Sequence, residues 1–87
     1  MEIEKLKAFA AVAETGSFTR AAEKLYTSHS SISRAVSALE RELGVKLIER
    51  DNHVVGLTPA GEILRTGAAD ILEREEALKK EISESAE

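Results

Sequence analysis

A dense row of hydroxyls with one histidine and one arginine, Thr27-Ser-His-Ser-Ser-Ile-Ser-Arg34, follows closely on Gly16-Ser-Phe-Thr-Arg-Ala-Ala-Glu-Lys-Leu25. Short polar side chains and a forked guanidinium at the first turns of a helix suit base edges in the DNA major groove. Ala21 and Ala22, just upstream, are small enough for two helices to cross closely there. The pattern predicts a helix-turn-helix whose second helix carries the contacts. Candidate DNA-contacting residues are Ser30, Arg34 and Ser37 on its outward side and Ser33 on its flank, with Thr19, Ser28 and Ser31 as further hydroxyls for base edges or phosphates. His29 either donates to a base or phosphate or caps the helix start; the sequence leaves both open. Other chemistry is poorly served. His29 and His53 are the only histidines and there is no cysteine, so a metal site lacks ligands. The serines have no indicated base to activate them as nucleophiles. No catalysis and no cofactor are expected of residues 1–87.

The elements that would hold these residues can be read from spacing. Ile3, Leu6, Phe9, Ala10 and Ala13 recur at three-and-four steps, predicting a first helix over about 3–14. Gly16 stops it and Ser17 caps a short second helix over about 18–25, turned inward through Ala21, Ala22 and Leu25. Tyr26-Thr27 is the turn. Thr27 or Ser28 caps the third helix, which runs to about Leu43 before Gly44. Ile32, Val36, Leu39 and Leu43 form its apolar stripe, with Ser30, Arg34, Ser37 and Arg41 on the opposite side. Two β-prone runs, Lys46–Arg50 and Val54–Thr58, flank Asp51-Asn52-His53 and predict a hairpin. Arg50 and His53 would reach the DNA backbone or minor groove from this wing. The fold expected is mainly α: three helices and a two-stranded wing over 1–58, with the helix-turn-helix at about 18–43.

Thr58-Pro59 is a favourable helix start, and the helix beginning there extends to about Ser85. Leu57, Gly61, Leu64, Ala68, Ile71, Glu75, Leu78 and Ile82 follow alternating four- and three-residue steps, a heptad-like seam interrupted at Glu75. Ile63 and Leu72 widen it. The alternative is a tail packed on its own head. A face of this extent favours a dimerisation helix over 59–87, with Leu64, Gly67, Ala68, Ile71, Leu72, Leu78 and Ile82 at the contact.

Net charge is −4, but it is unevenly placed. Residues 1–58 hold eight Lys/Arg and eight Asp/Glu, whereas 59–87 hold four and eight. The head is therefore neutral and the excess is confined to the tail, which leaves a nucleic-acid partner possible with weaker non-specific attraction than a basic domain has. No apolar run reaches membrane-spanning length. A cytoplasmic protein, associated with the nucleoid when bound to DNA, is expected.

The runs Leu6-Lys-Ala-Phe-Ala-Ala-Val-Ala-Glu14, Gly16–Leu25, Ser31-Ile-Ser-Arg34, Leu39-Glu-Arg-Glu-Leu-Gly44, Leu47-Ile-Glu-Arg50 and Leu57-Thr-Pro-Ala-Gly61 stand in order across residues 1–61. Together they resemble the N-terminal DNA-binding domain and linker helix of a LysR-type transcriptional regulator. The resemblance implies bacterial or archaeal gene regulation, a winged head, a homodimer through the long helix, and an inverted-repeat operator in double-stranded DNA. It also implies a larger effector-binding domain, with its small-molecule co-inducer, absent from this chain. Carried over by position, the family's groove contacts fall on His29, Ser30, Ser33 and Arg34, with Arg50 at the wing. The family commonly has Gln-Pro where His29-Ser30 stand here, and more cations in the wing. A reading from another class is a helical adaptor that binds protein through 59–87 and has a degenerate DNA-binding head.

Overall fold

A computed structural model describes residues 1–51 and 54–86. Six elements follow one another: α1 (Ile3–Thr15), α2 (Phe18–Lys24), α3 (His29–Leu43), β1 (Ile48–Asp51), β2 (Val54–Leu57) and α4 (Pro59–Ser85). The helix boundaries have local causes. Gly16 and Gly44 end α1 and α3 in the left-handed region at φ 68° and 70°, where glycine carries no Cβ penalty. Ser17 Oγ accepts from Arg20 N at 3.1 Å, Ser28 Oγ from Ser31 N at 3.1 Å, and Thr58 Oγ1 from Gly61 N at 3.0 Å. Each satisfies an amide that the first helical turn leaves without a partner. Between Thr27 and Ser28, the cap of α3 is therefore Ser28.

α1 packs against α2, α3 and α4, and α2 packs against α3. Leu6, Phe9 and Val12 of α1 meet Phe18, Ala21 and Ala22 of α2 and Ile32, Val36 and Leu39 of α3 in one buried core, closed below the wing by Leu47 and Ile48. Burying each of the larger side chains contributes about 1.5–3 kcal/mol. The apolar face of α1 differs from the expected one. Ala8, Ala11 and Val12 are buried, while Ala10 and Ala13 are only partly so, because α1 is wedged between helices on more than one side. The α3 stripe is also one residue shorter: Leu43 is 41% exposed, lying at the last turn beyond the edge of the core.

The hairpin is antiparallel, with Ile48 opposite Leu57 and Arg50 opposite Val55. Its base is tied to its surroundings by four hydrogen bonds. Thr58 Oγ1 donates to Lys46 O at 2.6 Å and Thr58 N to Leu47 O at 3.1 Å. Glu40 Oε2, reaching across from α3, accepts from Leu47 N at 2.8 Å and Ile48 N at 3.3 Å. This carboxylate does the work of a missing strand partner. Glu40→Ala should leave both amides without their acceptor and lower unfolding free energy by about 1–3 kcal/mol, measurable by urea denaturation.

α4 begins as part of the head and leaves it. Gly61, Leu64 and Ala68 are buried against the core, and Leu72 is partly buried against it. The expected continuous seam is thus corrected. Leu64 and Ala68 are occupied within their own chain, because α4 lies along α1, and Leu72 is half-committed there. Gly61 is buried instead against the base of the wing: a Cβ on it would collide with the carbonyl oxygen of Leu47. The large apolar side chains of α4 left facing outward are Ile63, Ile71, Leu78 and Ile82. With Gly67, they fall within about 100° of one another around the helix.

Candidate nucleic-acid interface

α3 owes its position to its buried stripe. With Ile32, Val36 and Leu39 fixed inward, helical geometry turns Ser30, Arg34, Ser37 and Arg41 outward. Ser30, Arg34 and Arg41 are exposed and Ser33 and Ser37 half-buried. The hydroxyls near the helix start divide their roles. Ser28 Oγ is engaged as the cap and donates to Ser31 Oγ at 2.9 Å. Arg34 Nη2 donates to Ser31 Oγ at 3.4 Å, so Ser28 and Ser31 act as a short relay beneath the Arg34 guanidinium. Ser30 Oγ lies 3.2 Å from Ser28 Oγ and stays exposed to solvent. Thr19, on α2, is likewise exposed.

The two flanks of α3 differ. On the α1 side, an open groove of about 520 Å³ is lined by Lys5, Ser31, Arg34, Ser37 and Arg41 among others. Lys5 is paired with Glu2 at 2.8 Å. That hydrogen bond, and then the ammonium charge itself, hold the Glu2 carboxyl below its ordinary value. On the wing side, Arg50 projects from β1 and its guanidinium carbon stands 4.1 Å from the centroid of the Phe18 ring. His29, the first residue of α3, meets the same ring at 5.6 Å between centroids and 39° between planes. His29 does not supply the side-chain cap of α3, which Ser28 provides.

The fold therefore brings Ser30, Ser33, Arg34 and Ser37 along one ridge, with His29 and Arg50 together at its wing flank. The expected contact His53 lies outside the described residues, as does Asn52. Two positions escaped the sequence reading as contributors: Glu40, which fastens the wing base to α3, and Phe18, on which Arg50 and His29 both rest. Glu40 had a faint signal, being an acidic residue beside a buried stripe. Among the described residues, no group of three or more His, Asp or Glu side chains is placed to hold a metal ion, and no helix is long and apolar enough to cross a membrane.

Known proteins share both sequence and shape with this chain. The sequence model of the bacterial regulatory helix-turn-helix protein, lysR family, matches residues 3–62. The Hca operon transcriptional activator HcaR of Escherichia coli (strain K12) is 48% identical over 79 residues, which cover 91% of this chain and 27% of HcaR. That match runs into α4, past the motifs of the head. The chain thus spans about a quarter of that relative's length. Among solved structures, a CbnR_DBD-DNA complex aligns with a TM-score of 0.91 and 39% identity, covering 100% of both chains. A complex of BenM_DBD with catB site 1 DNA aligns with a TM-score of 0.92 and 36% identity, covering 97% of this chain and 94% of that one. The matched helix-turn-helix, the wing and the long helix agree in order and in space, and the chain belongs to the LysR family of bacterial regulatory helix-turn-helix proteins.

Proposed function

We propose that this chain is the sequence-specific DNA-binding part of a transcriptional regulator, acting in the cytoplasm on the nucleoid. α3 enters the major groove, and the wing approaches the neighbouring backbone or minor groove. Two copies pair through α4 and read an inverted repeat, since a two-fold dimer matches half-sites related by the same symmetry. A small-molecule co-inducer would act on sequence other than residues 1–87. The observation that carries this reading is the outward ridge of α3: hydroxyls and two arginines on a helix whose opposite side buries Ile32, Val36 and Leu39 in the core. The relatives named as regulators and the DNA complexes among the structural neighbours support it.

A gel-shift titration with promoter DNA from beside the protein's own gene tests the reading. Retarded complexes that survive competitor DNA support it. Absence of binding, with retention of a protein partner on residues 59–87, would favour the adaptor reading, to which the acidic tail lends its weight.

Arg34 should carry much of the discrimination. A bidentate arginine–guanine contact is worth about 1–3 kcal/mol against the wrong base. Arg34→Ala should weaken operator binding by that order and leave thermal stability unchanged, since the side chain is exposed. Equal losses on operator and on random DNA would make Arg34 a phosphate contact instead.

A further inference from the structure

The Phe18 ring joins three elements that are separate in sequence. It stands at the first position of α2, receives His29 from the first position of α3, and lies under Arg50 from β1. The ring is only 7% exposed, whereas His29 and Arg50 are both exposed. A cation over an aromatic face is attracted by the ring's negative quadrupole, more strongly when water is displaced from the contact. A guanidinium held through its charge to a ring keeps its in-plane N–H donors for a phosphate. Phe18 itself is too deeply set to approach DNA ahead of the two side chains it carries.

We propose that Phe18 is a positioning residue whose ring holds Arg50 and His29 as one unit, so that wing and reading helix contact the DNA backbone jointly rather than independently. The proposal rests on the DNA-binding reading above. It assigns to Phe18 a second task beside its place in the core: limiting the rotamers of a long cationic side chain before DNA arrives, which removes part of the ordering cost of binding.

The test is a double-mutant cycle on the full chain. His29→Ala, Arg50→Ala and the double variant are titrated with a short mixed-sequence duplex at low salt, because phosphate contacts need no particular sequence. Joint action predicts that the double variant loses about threefold or more less affinity than the product of the two single losses. A double loss equal to that product overturns the proposal. The cycle is then repeated in Phe18→Leu and Phe18→Tyr backgrounds. Coupling should vanish with leucine and persist with tyrosine; coupling that persists with leucine overturns the role of the ring.

Should Phe18→Leu fail to fold, the free wild-type protein supplies the second measurement. The Arg50 δ-proton NMR signals should be shifted upfield by the ring current of Phe18, over which the guanidinium stands. Signals at their random-coil positions would overturn the stack. A wild-type chain that binds no duplex at all removes the DNA role, and with it the joint contact, while the NMR shifts still report the stack itself.

Discussion

Replacing Gly61 by alanine is expected to destabilise the protein by about 1–3 kcal/mol, while the same substitution six residues later should stabilise it. Helix propensity alone favours alanine over glycine by about 1 kcal/mol at each site. At Gly61 the new Cβ would collide with the Leu47 carbonyl oxygen. That oxygen cannot step aside cheaply, because it also accepts from Thr58 N at 3.1 Å, and Leu47 itself is buried. The strain therefore falls on backbone at the joint between wing and long helix. At Gly67 an added Cβ meets nothing within 4 Å, so only the helix gain of about 0.5–1 kcal/mol remains. Urea denaturation at concentrations low enough to keep the chain monomeric checks both. A neutral Gly61→Ala would mean that α4 can slide on the head. A weakened dimer in Gly67→Ala would show that the partner helix approaches at that glycine.

The second large effect concerns pairing. Ile71, Leu78 and Ile82 are exposed on the part of α4 that has left the head. Ile71→Glu should give monomers in analytical ultracentrifugation, because it places a charge in what we propose is a buried contact. Two linked reading heads gain about 10²–10⁴ in avidity over one, so affinity for an inverted repeat should fall by that order. Weak binding to a single half-site should remain, with the head's melting temperature little changed. A dimeric Ile71→Glu protein would place the interface elsewhere, with α1 the next surface to test. A wild-type chain that stays monomeric at high concentration would remove the role assigned to this face.

Much of the fold was legible because its signals are local. Gly16, Gly44, Ser17, Ser28, Thr58 and Pro59 mark helix ends through backbone conformation and capping, which depend on only a few neighbouring residues. The α3 stripe divided an inward from an outward side because Ile32, Val36 and Leu39 fall on one helical face. What sequence spacing left unresolved is which neighbour a face meets. A heptad-like run on α4 looks the same whether it faces another subunit or α1, and Leu64 and Ala68 turn out to face α1. The wing flank was opaque for a similar reason. Phe18 reads as an ordinary core aromatic, and nothing in the spacing of residues 18, 29 and 50 says that they converge. Tyr26 shows the limit from the other side: it holds a left-handed turn at φ 54° and is 97% exposed, a position where sequence preference would place glycine or asparagine.

The packing of Gly61, Leu64 and Ala68 against the core has a mechanical consequence. The joint between head and α4 leaves no space for a hinge, and an ion pair between Lys7 and Glu75 at 3.9 Å continues the attachment farther along α1 and α4. Head and helix must then turn together as a lever. Twenty-seven residues of helix make an arm of about 40 Å. A tilt of about 10° at its far end sweeps the other end through about 7 Å, roughly two base-pair steps along a duplex. In the proposed dimer, a modest change in the angle at which the two arms cross would therefore retune the spacing between the two α3 helices without altering a single residue proposed to touch DNA.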